Sequence, residues 1–181
     1  MDMMEVRRRA MLASKKKEYI KFEFALDGSI YNFDTVFPTD NFSILAEVPP
    51  VVSSVAGTSC VFMTSSNTTD SARYFNIGLY RTHRYYYFDI GMSRRKYDVV
   101  SGYLKEQSHR FGASVSNGRS RKFCDNSEVF VASSVIENPG TIRGNTDSRN
   151  QAEPNTVVAY LYTRVLTDAE LQNYTRNGII P

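Results

Sequence analysis

The sequence predicts an all-β domain, built as a two-sheet antiparallel sandwich, with one short C-terminal helix and a basic N-terminal arm. Three observations predict it. Roughly ten to twelve short segments with strand-like patterns are separated by turn signals. Tyrosine (12 residues) and phenylalanine (11) bring the aromatic content to 13%, which favours strands. A helix-capping pattern follows the last strand-like segment, at Thr167 and Glu170.

The length of 181 residues favours a single domain, which we place at residues 19–181 behind an arm at residues 1–18. A chain of this size buries about 70% of its unfolded surface, so it needs no metal or disulfide to fold. The apolar run at residues 10–13 is shorter than the roughly seven residues of a signal peptide. No run approaches a membrane span. Without an export signal, Cys60 and Cys124 are predicted to be free, buried thiols.

The net charge of +3 is concentrated in the first 21 residues, which hold seven basic and three acidic side chains. Two interpretations of this arm stay open. It is either a frayed, partly helical extension or a docking arm that orders against a partner. The arm lacks the interleaved aromatics of nucleic-acid-binding modules, so nucleic acid is not an expected partner. The predicted docking residues are Arg7, Arg8, Arg9, Lys15, Lys16 and Lys17.

The first strands are predicted from alternation. Residues 19–26 alternate as in a half-buried strand, with Phe22, Phe24 and Leu26 on one face and Lys21 and Glu23 on the other. Asp27-Gly28 is a turn signal, which predicts that residues 29–33 return as the hairpin partner of this strand. The next strands are predicted at residues 40–48, with Phe42, Ile44 and Ala46 inward, and at residues 59–64.

Residues 73–91 carry the clearest hairpin pattern. One face holds the six apolar residues Phe75, Ile77, Leu79, Tyr86, Phe88 and Ile90. The other face is rich in tyrosine and polar side chains, which can stack on sugar rings and bind their hydroxyl groups. The candidate ligand-binding residues on this tyrosine face are Tyr74, Asn76, Tyr80, Tyr85, Tyr87 and Asp89.

The second half of the chain continues as strands. They are predicted at residues 97–101, 109–116, 121–124 and 127–132, with Asn117-Gly118 as a strong hairpin turn. Residues 143–154 are polar and predict a long loop.

The last strand, predicted at residues 157–165, leads directly into the helix. Thr167 and Glu170 form a T-x-x-E capping box, and Leu166 and Leu171 occupy the positions of a hydrophobic staple. Gly178 marks the helix end.

This ending resembles the closing strand and helix of laminin-G-like, concanavalin A-like domains. The matching positions are Tyr162, Arg164, Leu166, Thr167, Asp168, Glu170 and Tyr174. The segments at residues 40–48 and 109–124 are also similar to that family, although Val48 replaces its usual aromatic residue. The resemblance implies a jelly-roll sandwich. The leader from Arg7 to Lys16 resembles those of structural proteins from phages that infect gut Bacteroidales-type bacteria.

Catalytic chemistry is not predicted. Glycoside hydrolases of this fold present paired carboxylates on one strand, and the nearest cluster here, Asp125 to Glu128, falls in a turn. His83 and His109 lie in different segments without ligand partners at useful spacing, so no metal site is predicted. Some laminin-G-like modules bind calcium through rim loops, and the conceivable ligands here are Asn67, Asp70, Asp125 and Asn126.

Two functions from different classes follow. The first is a non-enzymatic phage virion protein, a tail or fibre appendage or a capsid decoration, which docks to other virion proteins through its arm and contacts host glycans. The alternative is a free-standing, lectin-like carbohydrate-binding module. For both functions, two interpretations of the tyrosine face stay open. It is covered by another part of the protein or by a second subunit of a homo-oligomer, or it binds glycans. Neither function involves membrane insertion.

Overall fold

The computed structural model describes residues 18–25, 29, 31–36, 40–50, 58–64, 75–80, 85–90, 93–98, 106–117, 119–125, 127–133, 141–144 and 156–181. Only the backbone is described between residues 58 and 98, at residues 120–123 and in residues 127–133. Several residues named in the predictions lie outside the described residues. They are the docking residues of the arm, Leu26, Asn67, Asp70, Tyr74, His83 and Asn126.

The described residues form twelve strands and one helix, α1. They are β1 (Tyr19–Ala25), β2 (Tyr31–Val36), β3 (Phe42–Val48), β4 (Thr58–Thr64), β5 (Phe75–Tyr80), β6 (Tyr85–Ile90), β7 (Ser93–Asp98), β8 (His109–Ser116), β9 (Arg119–Cys124), β10 (Ser127–Ser133), β11 (Thr141–Gly144), β12 (Thr156–Tyr162) and α1 (Asp168–Asn177).

These strands make two six-stranded antiparallel sheets. The order in the first sheet is β1-β12-β3-β8-β9-β10, and the order in the second is β2-β11-β4-β5-β6-β7. The predicted all-β sandwich with a short C-terminal helix is therefore confirmed. Within the part of the chain that is described, no helix combines the length and the apolar character needed to cross a bilayer.

The core lies between the two sheets. The first sheet contributes the predicted inward residues of β1 and β3, which are at most 3% exposed. The second sheet contributes Ile142, and Tyr31 and Phe33 pack against the same cluster. The Phe22 and Phe33 rings meet edge to face with centroids 5.0 Å apart, and this contact joins one sheet to the other.

The predicted hairpin between residues 19–26 and 29–33 is wrong. β1 pairs with β12, from Tyr19 opposite Tyr162 to Ala25 opposite Thr156. β2 instead pairs with β11 in the second sheet. The physical reason is burial, since Phe22 and Phe24 pack against Phe33 of the opposite sheet and the apolar faces of the two strands meet across the core.

The helix packs on the outer face of the first sheet. It begins and ends where its local signals predict. Thr167 caps it, accepting a hydrogen bond from the Glu170 N–H, and Glu170 completes the capping box. Gly178 ends it with a φ of 72°. Both staple leucines join a second buried cluster, which consists of Leu45, Tyr162, Leu166, Leu171 and Tyr174. The closing strand is therefore covered on both faces.

Acid is expected to weaken this helix start through Glu170. Its carboxylate accepts hydrogen bonds from Arg164 Nη2 at 2.9 Å and from the Thr167 N–H at 2.8 Å. Arg164 is the main reason that the pKa of Glu170 is lowered to about 2, and the Thr167 bonds add to it. The unfolded chain has the ordinary value of 4.5, so this stabilisation is complete above pH 4.5 and is lost as the pH falls towards 2.

Urea unfolding at a series of pH values measures this loss. Because Arg164 is 37% exposed and solvent screens the pair, we expect a loss of about 1 kcal/mol. In the Glu170→Gln variant this part of the pH dependence should disappear. An identical pH profile in the variant and the natural chain would show that Glu170 does not carry the effect.

Candidate functional site

The strand register brings the candidate ligand-binding residues together. Residues directly opposite each other in an antiparallel pair share a face of the sheet. In the β5–β6 hairpin, Asn76 pairs with Asp89 and Tyr80 pairs with Tyr85, while Tyr87 lies opposite Gly78. Five of the six predicted residues therefore share one face, and the hairpin predicted at residues 73–91 is confirmed for the described strands.

This face is the outer face of the second sheet, as shown by the register through β11. Ile142 is fully buried in the core, so its neighbour Arg143 belongs to the opposite face. Arg143 pairs on one side with Asn32, which is exposed, and on the other side with Met63. Met63 in turn lies opposite Asn76. One row thus leads from an exposed residue of β2 to the tyrosine face.

Strand β7 adds charged residues to the same face. Arg94 lies opposite Asp89, Lys96 opposite Tyr87 and Asp98 opposite Tyr85. The sequence prediction of a strand at residues 97–101 missed this, because β7 runs from Ser93 to Asp98. Its alternation was obscured by Arg95, which the register places on the core-side face next to Phe88.

Arg143 is a further residue that sequence reasoning missed. The loop predicted at residues 143–154 is wrong at its first two residues, since Thr141–Gly144 is a strand between β2 and β4. Residues 145–154 lie outside the described residues. Its polar sequence and four-residue length hid it. Arg143 is half-buried, and its Nε–H is shielded from solvent without a hydrogen-bond partner. This N–H is a buried donor without an acceptor, a state that a hydrogen bond to an added oxygen would stabilise.

The dimensions of the face follow from strand geometry. Strands β5 to β7 span about 10 Å across, and the stretch from Asn76 to Tyr80 covers about 14 Å along the strand. Arg143 is two strands from Asn76, about 10 Å away. Aromatic, amide, carboxylate and basic residues thus lie together within these dimensions.

A second cluster brings His109 close to potential ligand partners that are far from it in sequence. His109, Cys124 and Asp125 place one potential ligand atom each within 4.8 Å of one another. His109 Nδ1 bonds to Asp125 Oδ2, and Asp125 Oδ1 accepts the Arg110 N–H at 2.8 Å. Cys124 is a free, fully buried thiol as predicted, and burial raises the pKa of Cys124. The side chain of Cys60 is not described.

A groove of about 810 Å³ lies between the β8–β9 turn and the start of α1. Both polar and apolar side chains form its surface. The helix N-terminus there is already capped by Thr167 and Glu170, so it offers little to an anion. The lining residues are Ser114, Ser116, Asn117, Arg119, Val165, Leu166, Thr167 and Asp168.

No protein-family model matches the chain, and no curated protein matches it. Solved structures do. The CBM40 module of the Ruminococcus gnavus IT-sialidase, bound to α2,3-sialyllactose, aligns with a TM-score of 0.56 at 14% identity, covering 86% of this chain and 98% of the module. The same module bound to α2,6-sialyllactose gives 0.55 at 13% identity, with the same coverage.

The leech intramolecular trans-sialidase aligns with a TM-score of 0.57 at 14% identity over 86% of this chain, which spans only 27% of that enzyme. The binding domain of botulinum neurotoxin serotype D gives 0.55 at 8% identity, with coverage of 84% and 41%. Identities this low establish a shared fold. The chain has the β-sandwich, lectin-like fold found in the carbohydrate-binding modules of sialidases.

Proposed function

We propose that this chain is a non-catalytic carbohydrate-binding module and that its ligand binds across the outer face of the second sheet. One observation carries the proposal. The register of β5, β6 and β7 aligns Tyr80, Tyr85 and Tyr87 with Asn76 and Asp89 on one face. Similarity in fold to sialidase-associated binding modules supports the same function.

The residue types on this face suit a sugar. Tyrosine rings stack on the apolar face of a pyranose, and amide or carboxylate side chains bind hydroxyl groups in pairs. The nearest cluster of carboxylates predicted from the sequence began at Asp125, which is bonded to His109 and to the Arg110 backbone. These bonds engage both oxygens of that carboxylate, which favours binding without hydrolysis.

The basic residues of the face favour an acidic sugar. Arg94 and Lys96 flank the tyrosines, and Arg143 brings an unpaired N–H to the same face. A guanidinium group binds a carboxylate more strongly than it binds a neutral hydroxyl. Since the R. gnavus module is bound to α2,3- and α2,6-sialyllactose in structures of this fold, both sugars are suitable probes.

Tyr85→Ala and Tyr87→Ala are expected to weaken glycan binding by about tenfold or more each, because each removes an aromatic ring from the proposed site, Tyr87 at the centre of the face and Tyr85 at its hairpin end. Isothermal titration with 3′- and 6′-sialyllactose, with lactose as the neutral comparison, measures the loss. Tyr160→Ala is the matched control, since Tyr160 lies on the outer face of the first sheet.

Binding that is unchanged in both variants would place the site elsewhere. A second outcome is that no glycan on an array binds and that the two variants change the molecular mass of the protein in solution. The tyrosine face would then be a contact between subunits. The virion role, docking through the basic arm and a homo-oligomeric state stay predictions. The arm lies outside the described residues, so the module hypothesis is the one that the described geometry supports.

A further inference from the structure

The cluster of His109, Cys124 and Asp125 lies at one end of the first sheet, away from the tyrosine face. His109 opens β8, Cys124 closes β9 and Asp125 occupies the turn before β10. Cys124 and Phe111 are directly opposite each other, so Cys124 and His109 share the core-side face. His109 is 2% exposed and Cys124 is fully buried, while the Asp125 side chain is 33% exposed.

The backbone holds these three residues in place. The Asp125 N–H donates to the Arg110 carbonyl at 3.0 Å, and the Arg110 N–H donates to Asp125 Oδ1 at 2.8 Å. Asp125 has a positive φ of 43°, which ends the strand and directs the chain into β10. Oδ2 is thereby left beside the His109 ring.

The three donors match one class of metal ion. A thiolate, an imidazole and a carboxylate are ligands of zinc, and zinc sites with three protein ligands keep a fourth position for water. Ligand atoms around tetrahedral zinc are about 3.5 Å apart. The three ligand atoms here lie within 4.8 Å of one another, so the widest spacing must shorten by about 1 Å, a change that side-chain rotation can supply. Soft thiolate ligation disfavours calcium and magnesium.

We propose that His109, Cys124 and Asp125 form a zinc-class metal site with three protein ligands and one open position. Binding replaces the Cys124 thiol proton with the metal ion, and that proton is released to solvent. His109 Nδ1 and Asp125 Oδ2 exchange their mutual hydrogen bond for bonds to the metal. The partly exposed Asp125 provides the route for the ion and for the water in the fourth position. This inference is independent of glycan binding.

Cobalt(II) tests the site, because a cobalt–thiolate bond produces a charge-transfer band in the near ultraviolet. The full chain, first stripped with a chelator, should give this band with saturation at one equivalent of Co²⁺, and Zn²⁺ should abolish it. The chain has two cysteines, which supply a matched pair of variants. The band should be lost in Cys124→Ala and kept in Cys60→Ala. Asp125→Asn should weaken the affinity for Co²⁺ by about tenfold or more.

A second measurement covers the case in which Cys124→Ala does not fold. Zn²⁺ should raise the melting temperature of the natural chain and of Cys60→Ala, since the ion binds the folded state. It should not raise that of Cys124→Ser or His109→Gln. The absence of a thiolate band in the natural chain, a band that survives in Cys124→Ala, or its loss in Cys60→Ala would each overturn the proposal.

Discussion

Replacing Phe111 by alanine is expected to lower the free energy of unfolding by about 3–5 kcal/mol. Phe111 lies in β8, an inner strand of the first sheet, between Ala46 of β3 and Cys124 of β9. Its side chain is fully buried, and its two neighbours in the sheet are small. The cavity left by the ring therefore has little to fill it, and the cost approaches the upper end of the range.

Urea unfolding measures this change in free energy. Thermal unfolding should show a fall in melting temperature of about 6–20 °C. Phe111→Leu retains much of the buried volume and should cost less than half as much. Glu23→Ala, at an exposed position of β1, is the surface control and should change stability by no more than about 0.5 kcal/mol. A cost below about 1 kcal/mol for Phe111→Ala would contradict its place in the core.

Replacing Gly144 by alanine is expected to destabilise the sandwich by about 1–3 kcal/mol through overpacking. A Cβ atom at this position would lie 2.6 Å from a ring carbon of Phe24. The Phe24 ring is only 3% exposed, and its centroid is 5.7 Å from that of Tyr31 and 5.9 Å from that of Phe33. The ring is therefore confined, and moving it away from the new Cβ atom would disturb its packing against Tyr31 and Phe33.

A double-mutant cycle isolates this contact. Phe24→Leu alone should destabilise the protein, because it removes buried surface. In the Gly144→Ala, Phe24→Leu variant the smaller side chain makes room, so the combined cost should be less than the sum by about 0.5 kcal/mol or more. Strictly additive costs in urea unfolding would show that the two residues do not meet across the sheets.

Features encoded in short stretches of sequence were predictable. The capping box of Thr167 and Glu170, the staple and the Gly178 stop depend on residues within one helix and its flanks, so local pattern suffices. The same holds for the β5–β6 hairpin and for the turn at Asn117, which has the positive φ of 50° that this turn type requires.

Pairings between distant segments were not predictable from local pattern. Period-two alternation shows which face of a strand is apolar, but it does not show which sheet the strand joins. The turn signal at Asp27-Gly28 therefore predicted a hairpin, whereas the apolar faces of β1 and β2 meet from opposite sides of the core. Arg143 was missed for a related reason, since β11 is short and polar and is held by neighbours far away in sequence.

The His109 cluster could have been found from the sequence. With Asn117-Gly118 as a two-residue turn, counting outward pairs Ser116 with Arg119 and Phe111 with Cys124, as the structure shows. His109 then lies two residues along the same face. The spacing rules for zinc motifs look for ligands close together in sequence, and a hairpin brings together ligands that are farther apart.

The pairing of β1 with β12 places positions 19 and 181 on the first sheet, across the core from the tyrosine face. The Tyr19 ring contacts the Tyr162 ring at a tilt of 51°, with centroids 5.3 Å apart. The Tyr162 hydroxyl donates to the Pro181 carbonyl at 3.4 Å. Positions 19 and 181 are therefore neighbours on the outer face of the first sheet. The tyrosine face belongs to the other sheet, across the core. A polypeptide joined at either position would be attached to the first sheet, on the opposite side of the core from the proposed glycan surface.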